Sequence, residues 1–270
     1  MATEREIRRE QGLAFQDELA DRVVGTARGL DEASWSAPTN CPPWKVRDII
    51  QHLTRGAGTF HAVVDRGLRG DQSLTVDPQE RERVERELSG MSTSQLIDAL
   101  GDAQRGLRER LASLAPGELE VLCPHSRGLQ PAWWMVDQRL SELAFHNWDL
   151  QHSLGQEQEV DARVGQYLLP TLLERNLRTW HRPAPGRSGR WMIKARDLKN
   201  DVWLVETGAD GVGITRGEAE ADVTIEGDAS GLIRWLYGRA DLLTLEQQGM
   251  ANIGGSRSGL AAWKEMFRSP

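Results

Sequence analysis

Three things are scarce in this sequence: long apolar runs, cysteines and positive charge in excess. No apolar run approaches the roughly 20 residues that span a bilayer. Met1–Arg9 is charged and holds no apolar signal core, so no membrane role is expected. Cysteine is limited to Cys41 and Cys123. Two distant cysteines build no disulfide framework, and a reducing cytoplasm is the expected compartment. The net charge is -7 and the pI about 5.5; such a surface repels phosphate backbones and argues against nucleic acid as a general partner. Tyrosine and phenylalanine are few while tryptophan is frequent, and arginine far outnumbers lysine. Nothing in the chain assigns an oligomeric state.

What is present reads as two domains, 1–158 and 159–270, with enough apolar residues to pack a core in each. The first is helical. Leu13, Phe15, Leu19, Val23 and Val24 are spaced for a helix over about Glu6–Leu30. Asp31–Trp35 reads as a turn and a short connection. Asn40–Lys45 then opens a helix on its prolines, whose face carries Val46, Ile49, Ile50, Leu53, Ala57, Phe60, Val63 and Val64. Gly67 and Gly70 are expected to end it. Gln79–Ser89 is a polar helix, and its alternating charges mark it as solvated. Ser92-Thr-Ser94 caps another helix through Leu111, and Gln130-Pro131 opens a last one running to Leu154. Four long helices suggest an up-down bundle, with a long crossover as the alternative.

After Gly155 the pattern changes. Ala162–Trp180 reads as a helix containing Pro170. Arg190–Lys194, Val202–Val205, Val212–Thr215 and Ala221–Glu226 then alternate as a strand meander. Helices follow over Asp228–Tyr237 and Gly259–Phe267. The second domain is therefore expected to be a smaller α+β domain with an antiparallel sheet.

Chemistry is suggested by Ser141-Glu-Leu-Ala-Phe-His-Asn-Trp-Asp-Leu150. Glu142 and His146 lie four residues apart, on one face of a helix one turn apart. A carboxylate and an imidazole so placed can share one cation. Their apolar neighbours imply burial, and unpaired buried charge is costly. The candidate third ligand is His52, midway along an amphipathic helix; three protein ligands leave a position open for water, substrate or a thiol. The bland alternatives are a structural Glu–His pair and a surface histidine. Asp149, three residues past His146, is a candidate to orient it, or else a capping or surface residue. Cys123-Pro-His125 makes a poor nucleophile–base pair, with a proline between and no third partner. His61, His125, His152 and His181 read as surface residues, and Trp133-Trp134 as core.

The same residues carry a family resemblance. Trp44-Lys-Val-Arg-Asp-Ile-Ile-Gln-His-Leu53 resembles the W-x-V-R-D-x-x-x-H-L segment of the mycothiol-dependent maleylpyruvate isomerase N-terminal domain. Glu142–Leu150 resembles that family's E-x-x-x-H-x-W-D-L helix, and Ile225–Asp241 its second domain, which is related to sterol carrier proteins. The resemblance implies a DinB-like four-helix bundle with a metal at its centre, its ligands falling on His52, Glu142 and His146. Zinc suits two imidazoles and a carboxylate best, with nickel and iron as alternatives. It also implies a small thiol cofactor: mycothiol, bacillithiol or glutathione, of which mycothiol fits the arginine-rich composition best. Arg239, in Tyr237-Gly-Arg-Ala-Asp241, is a candidate to reach an anionic substrate.

A thiol of pKa near 8.5 is mostly protonated at neutral pH, and a divalent metal favours its thiolate. Added to a cis enone such as maleylpyruvate, the thiolate makes the double bond single; rotation and elimination give the trans isomer. With a leaving group or an epoxide the same attack gives a thioether, so isomerase and S-transferase share one expectation. A small electrophile and a small thiol are the expected partners. Two other classes stay open: a hydrolase using metal-activated water, for which Asp149 is the candidate base, and a non-enzymatic small-ligand-binding protein.

Overall fold

The computed structural model describes residues 2–74, 77–156, 159–184, 186–199, 201–208 and 211–268. The chain forms two compact units, Met1–Gln158 and Glu159–Pro270; Gln158 itself lies outside the described residues.

The first unit is built on four long helices: α1 (Glu4–Arg28), α3 (Val46–Leu68), α5 (Thr93–Ala112) and α6 (Ala132–Ser153). The short α2 (Glu32–Trp35) and the charged α4 (Pro78–Gly90) lie between them. Helix starts follow local chemistry. Thr3 and Glu6 close a capping box on α1, and Ser92 and Gln95 do the same on α5. Asp31 caps α2, turning the expected connection into one helical turn. The prolines 42 and 43 precede α3 rather than enter it, since its first residue is Val46. Packing pairs α1 with α5 and α6, and α3 with α5 and α6. The successive long helices α1 and α3 thus stand on a diagonal, so the crossover arrangement holds and the simple up-down order does not. The connection through α2 is long enough to make that crossing.

Between α5 and α6 lies a hairpin the sequence reading missed, β1 (Leu122–His125) and β2 (Gly128–Pro131). Neither strand shows regular alternation, and β2 exposes Leu129. Helix α3 lies so close to β1 that a Cβ on Gly67 would meet Cys123 Sγ at 2.6 Å and the Leu122 carbonyl at 2.9 Å. Gly67 is therefore a contact residue inside α3, not its stop; Gly70, at φ 77°, follows its end.

α6 is the centre of the bundle. Every residue from Ala132 to Gln151 is buried except Glu142, which is partly exposed. That burial includes Arg139, whose Nε donates to Gln104 Oε1 (2.8 Å) and Nη1 to the Leu53 carbonyl (3.0 Å). Gln104 donates to Gln16 Oε1 (3.2 Å), and Gln16 to the Val136 carbonyl (2.9 Å). One polar chain thereby ties α1, α3, α5 and α6 together inside an otherwise apolar core. Burial pulls the Arg139 pKa down to about 10, with the Glu142 charge opposing the fall.

The second unit begins with α7 (Ala162–Thr171), which continues through a π-helical turn (Leu172–Asn176) into α8 (Leu177–Trp180). Pro170 removes one backbone donor, and the helical ladder widens directly after it. The strands are β3 (Gly189–Ala195), β4 (Val202–Gly208), β5 (Gly211–Arg216), β6 (Val223–Gly227) and β7 (Ala251–Gly255), with α9 (Ala229–Leu236) and α10 (Leu242–Gln247) before β7 and α11 (Arg257–Met266) after it. The sheet order is β5-β4-β3-β6-β7. Three pairings are antiparallel, as expected of an α+β domain, but β6 joins β3 in parallel. The meander therefore stops at β5. Trp191 opposite Val223 and Ile193 opposite Ile225 give both strands one fully buried face, and that shared face favours the central position for β6. No helix among the described residues is long and apolar enough to cross a membrane.

The Arg139 network yields a stability prediction. Arg139→Met leaves Gln104 Oε1 and the Leu53 carbonyl without their donor in a buried core, which costs about 2–4 kcal/mol. Urea denaturation at neutral pH should show that loss.

Candidate metal centre

α3 and α6 pack side by side, which brings His52 of α3 opposite the Glu142–His146 face of α6. His52 Nε2 lies 2.8 Å from Glu142 Oε2, and His146 Nε2 lies 3.5 Å from the same oxygen. The three donor atoms fall within 4.8 Å of one another and could hold one cation. Gln138, one turn before Glu142, donates its amide to the other carboxylate oxygen at 3.0 Å and fixes the plane of the carboxylate. On the far side of His146, Nδ1 lies 3.0 Å from Asp149 Oδ2. That carboxylate holds the imidazole with Nε2 turned toward Glu142. The His52 and His146 rings meet edge to face at 4.8 Å, and Trp44 packs against both, at 4.9 and 5.8 Å.

Exposure is graded across the cluster. The His52 and Glu142 side chains are each 24% exposed, His146 10% and Asp149 0%. The site therefore opens on the His52–Glu142 side and closes behind His146. Burial works against ionisation of Glu142, but hydrogen bonds from His146 and His52, with their charges, hold its carboxyl well below the usual range. Burial likewise works against the His146 cation; the bonds to Asp149, Cys41 and Glu142 outweigh it and raise that imidazole to about 10. The pocket is thus strongly polarised for positive charge beside Glu142, and a divalent cation meets the same demand. His52 Nδ1 is buried and has no hydrogen-bond partner among the described residues, so the polar anchoring of that ring seen there is toward the shared carboxylate.

A family model, described as the mycothiol maleylpyruvate isomerase N-terminal domain, matches residues 17–151. The chain belongs to this family. Two solved structures resemble this chain over most of its length. The crystal structure of the mycothiol-dependent maleylpyruvate isomerase is 15% identical, covers 86% of this chain and 90% of its own, and superposes with a TM-score of 0.61. A histidine-to-alanine mutant of that enzyme is 12% identical, covers 93% of each chain and gives 0.62. No curated protein matches the sequence. The family assignment read from Trp44–Leu53 and Glu142–Leu150 is borne out.

In this isomerase-family chain, His52, Glu142, His146 and Asp149 come together. Arg239 lies in the second unit, where its Nη1 donates to the Tyr237 carbonyl at 2.9 Å. Sequence reasoning overlooked Cys41, Trp44 and Gln138 as neighbours of the cluster. Cys41 Sγ donates to Asp149 Oδ2 at 3.2 Å. The available signal was the Cys-Pro-Pro-Trp turn running straight into the helix of His52. Cys123 is fully buried, and burial pushes its thiol up to about 11, so it is no nucleophile at neutral pH. Of the other histidines, His61 and His181 are partly exposed and His152 is exposed. His125 departs from the surface reading: its ring stacks on Phe60 at 5.8 Å and meets the edge of Trp134 at 5.0 Å.

Burial, then the charge of Arg127, pulls the His125 pKa down from 6.5 to about 4. Its folded-state pKa is below the unfolded one, so the folded protein binds fewer protons here. The neutral ring contributes its full stability above about pH 6.5, and that stability is lost as pH falls toward 4, by ~2–3 kcal/mol. In His125→Phe, the drop in urea midpoint between pH 7 and pH 4.5 should be smaller than in the wild type by a corresponding amount.

Proposed function

We propose that this chain is a thiol-dependent isomerase that holds a divalent cation at His52, Glu142 and His146 and uses a small thiol, mycothiol by family, on a small electrophilic substrate. The observation that carries the reading is the convergence of two imidazoles and an ionised carboxylate, open to solvent on one side only. Zinc fits this donor set. Bound there, the cation supplies positive charge that favours the thiolate form of a thiol at neutral pH, where a free thiol is mostly protonated.

The residues of the chain have separate tasks. Gln138 and the two imidazoles keep Glu142 ionised and fixed in place. Asp149 orients His146 from behind. Trp44 packs at a tilt against both imidazoles and helps hold the rings in place. The reaction itself needs no proton from solvent: the thiolate adds to the conjugated carbon of a cis enone, the new single bond rotates, and the thiolate leaves with the trans product. A related electrophile carrying a leaving group would give S-transfer at the same place. Arg239 is the candidate anion-binding side chain of the second unit.

The hydrolytic alternative loses its base. Asp149 is fully buried behind His146 and engaged by both His146 and Cys41, away from the side on which a water would be activated.

Turnover of maleylpyruvate should require both mycothiol and a divalent cation. His52→Ala should lower kcat by at least about 100-fold, with circular dichroism unchanged. Equal turnover by wild type and His52→Ala, or turnover that is indifferent to thiol, would rule the reading out.

A further inference from the structure

Behind the candidate centre, His146 belongs to a second group of metal-ligating atoms. Cys41, His146 and Asp149 also place a thiol sulfur, a ring nitrogen and a carboxylate oxygen within 4.8 Å of one another. Asp149 Oδ2 is common to both contacts, 3.0 Å from His146 Nδ1 and 3.2 Å from Cys41 Sγ. The two groups use opposite sides of one ring, Nε2 facing Glu142 and Nδ1 facing Asp149.

We propose that Cys41, Asp149 and His146 Nδ1 form a second cation position, selective for a thiophilic divalent ion such as Zn2+ or Cd2+. The inference shares His146 with the proposed isomerase centre but uses none of its other ligands.

The geometry needs little adjustment. Zinc bonds of about 2.0–2.3 Å to N, O and S put tetrahedral ligands about 3.3–3.7 Å apart. The two short separations here are a few tenths of an ångström below that, as expected of groups now bridged by hydrogen bonds rather than by an ion. The charges close as well. A thiolate and a carboxylate neutralise a divalent ion, so filling the position leaves no net charge in a region where Asp149 is 0% exposed. Sulfur sets the preference, because thiolates select Zn2+ and Cd2+ over the hard ions Mg2+ and Ca2+.

The sulfur is also pre-placed. Pro38 and Lys45 form a bridge that closes the loop carrying Cys41. Inside it Thr39 N donates to the Trp44 carbonyl (3.0 Å), Trp44 N to the Cys41 carbonyl (2.8 Å), and Cys41 N to Thr39 Oγ1 (3.1 Å). Loop ordering therefore takes little from the binding energy. The shared ring couples the two positions. Simultaneous occupancy takes an imidazolate bridge; otherwise an ion in one position weakens the other.

Cobalt is the probe. The protein, stripped of metal and kept reduced with a phosphine so that no small thiol is present, is titrated with Co2+ and read by absorption. Expected are visible ligand-field bands together with a near-ultraviolet sulfur-to-cobalt charge-transfer band. Cys41→Ser and, independently, Cys41→Ala should abolish the charge-transfer band and keep the visible bands. Visible bands without a charge-transfer band in the wild type would overturn this inference and leave the isomerase centre standing. A charge-transfer band that persists in both Cys41 variants would also overturn it. Failure to bind cobalt at all would remove both.

Discussion

Ionisable side chains on a buried helix constrain this molecule more than any other feature. α6 is enclosed on nearly every side, yet within eleven residues it carries Arg139, Glu142, His146 and Asp149. None of these can stay charged in an apolar core without a partner. Two of the helices packed on α6, and one loop, supply the compensation. α5 gives Gln104 to Arg139, α3 gives the Leu53 carbonyl to Arg139 and His52 to Glu142, and the loop before α3 gives Cys41 to Asp149. The fold and the candidate site are therefore one arrangement. The helix crossing that seats Leu53 against Arg139 is the same crossing that sets His52 beside Glu142.

This explains which parts could be read in advance. The face of α3 was legible because Val46, Ile49, Ile50, Leu53 and Ala57 repeat at helical spacing and all reach the core. Glu142 and His146 were legible because one turn of helix fixes their relation whatever surrounds them. Asp149 followed by the same logic. Cys41 was not legible. Its place depends on a closed loop and on the approach of α6, and neither leaves a local periodicity. The β1–β2 hairpin was missed for a similar reason: four-residue strands without alternation are recognised only by what packs on them, here Gly67 of α3.

In the second unit, pattern gave strands but not their partners. Trp191, Ile193, Val223 and Ile225 each show period-two burial. Nothing local distinguishes the parallel pairing of β3 with β6 from continuation of the meander. β7 has only one buried residue, Ala251, and is an edge strand held by backbone bonds, so its sequence carries no hydrophobic signal. The solved isomerase and its mutant share this fold at 15% and 12% identity. Identity that low shows that the fold tolerates wide replacement of side chains.

The central claim is that Glu142 is ionised in order to share a cation with two histidines. Elemental analysis of the reconstituted Cys41→Ala protein, in which the second position is removed, beside the Cys41→Ala/Glu142→Ala double variant addresses it most directly. The account predicts about one divalent ion per chain in the first, and at neutral pH a large loss in the second, with the helical content of both proteins alike. Equal metal content in the two proteins, or none in the first, would contradict it.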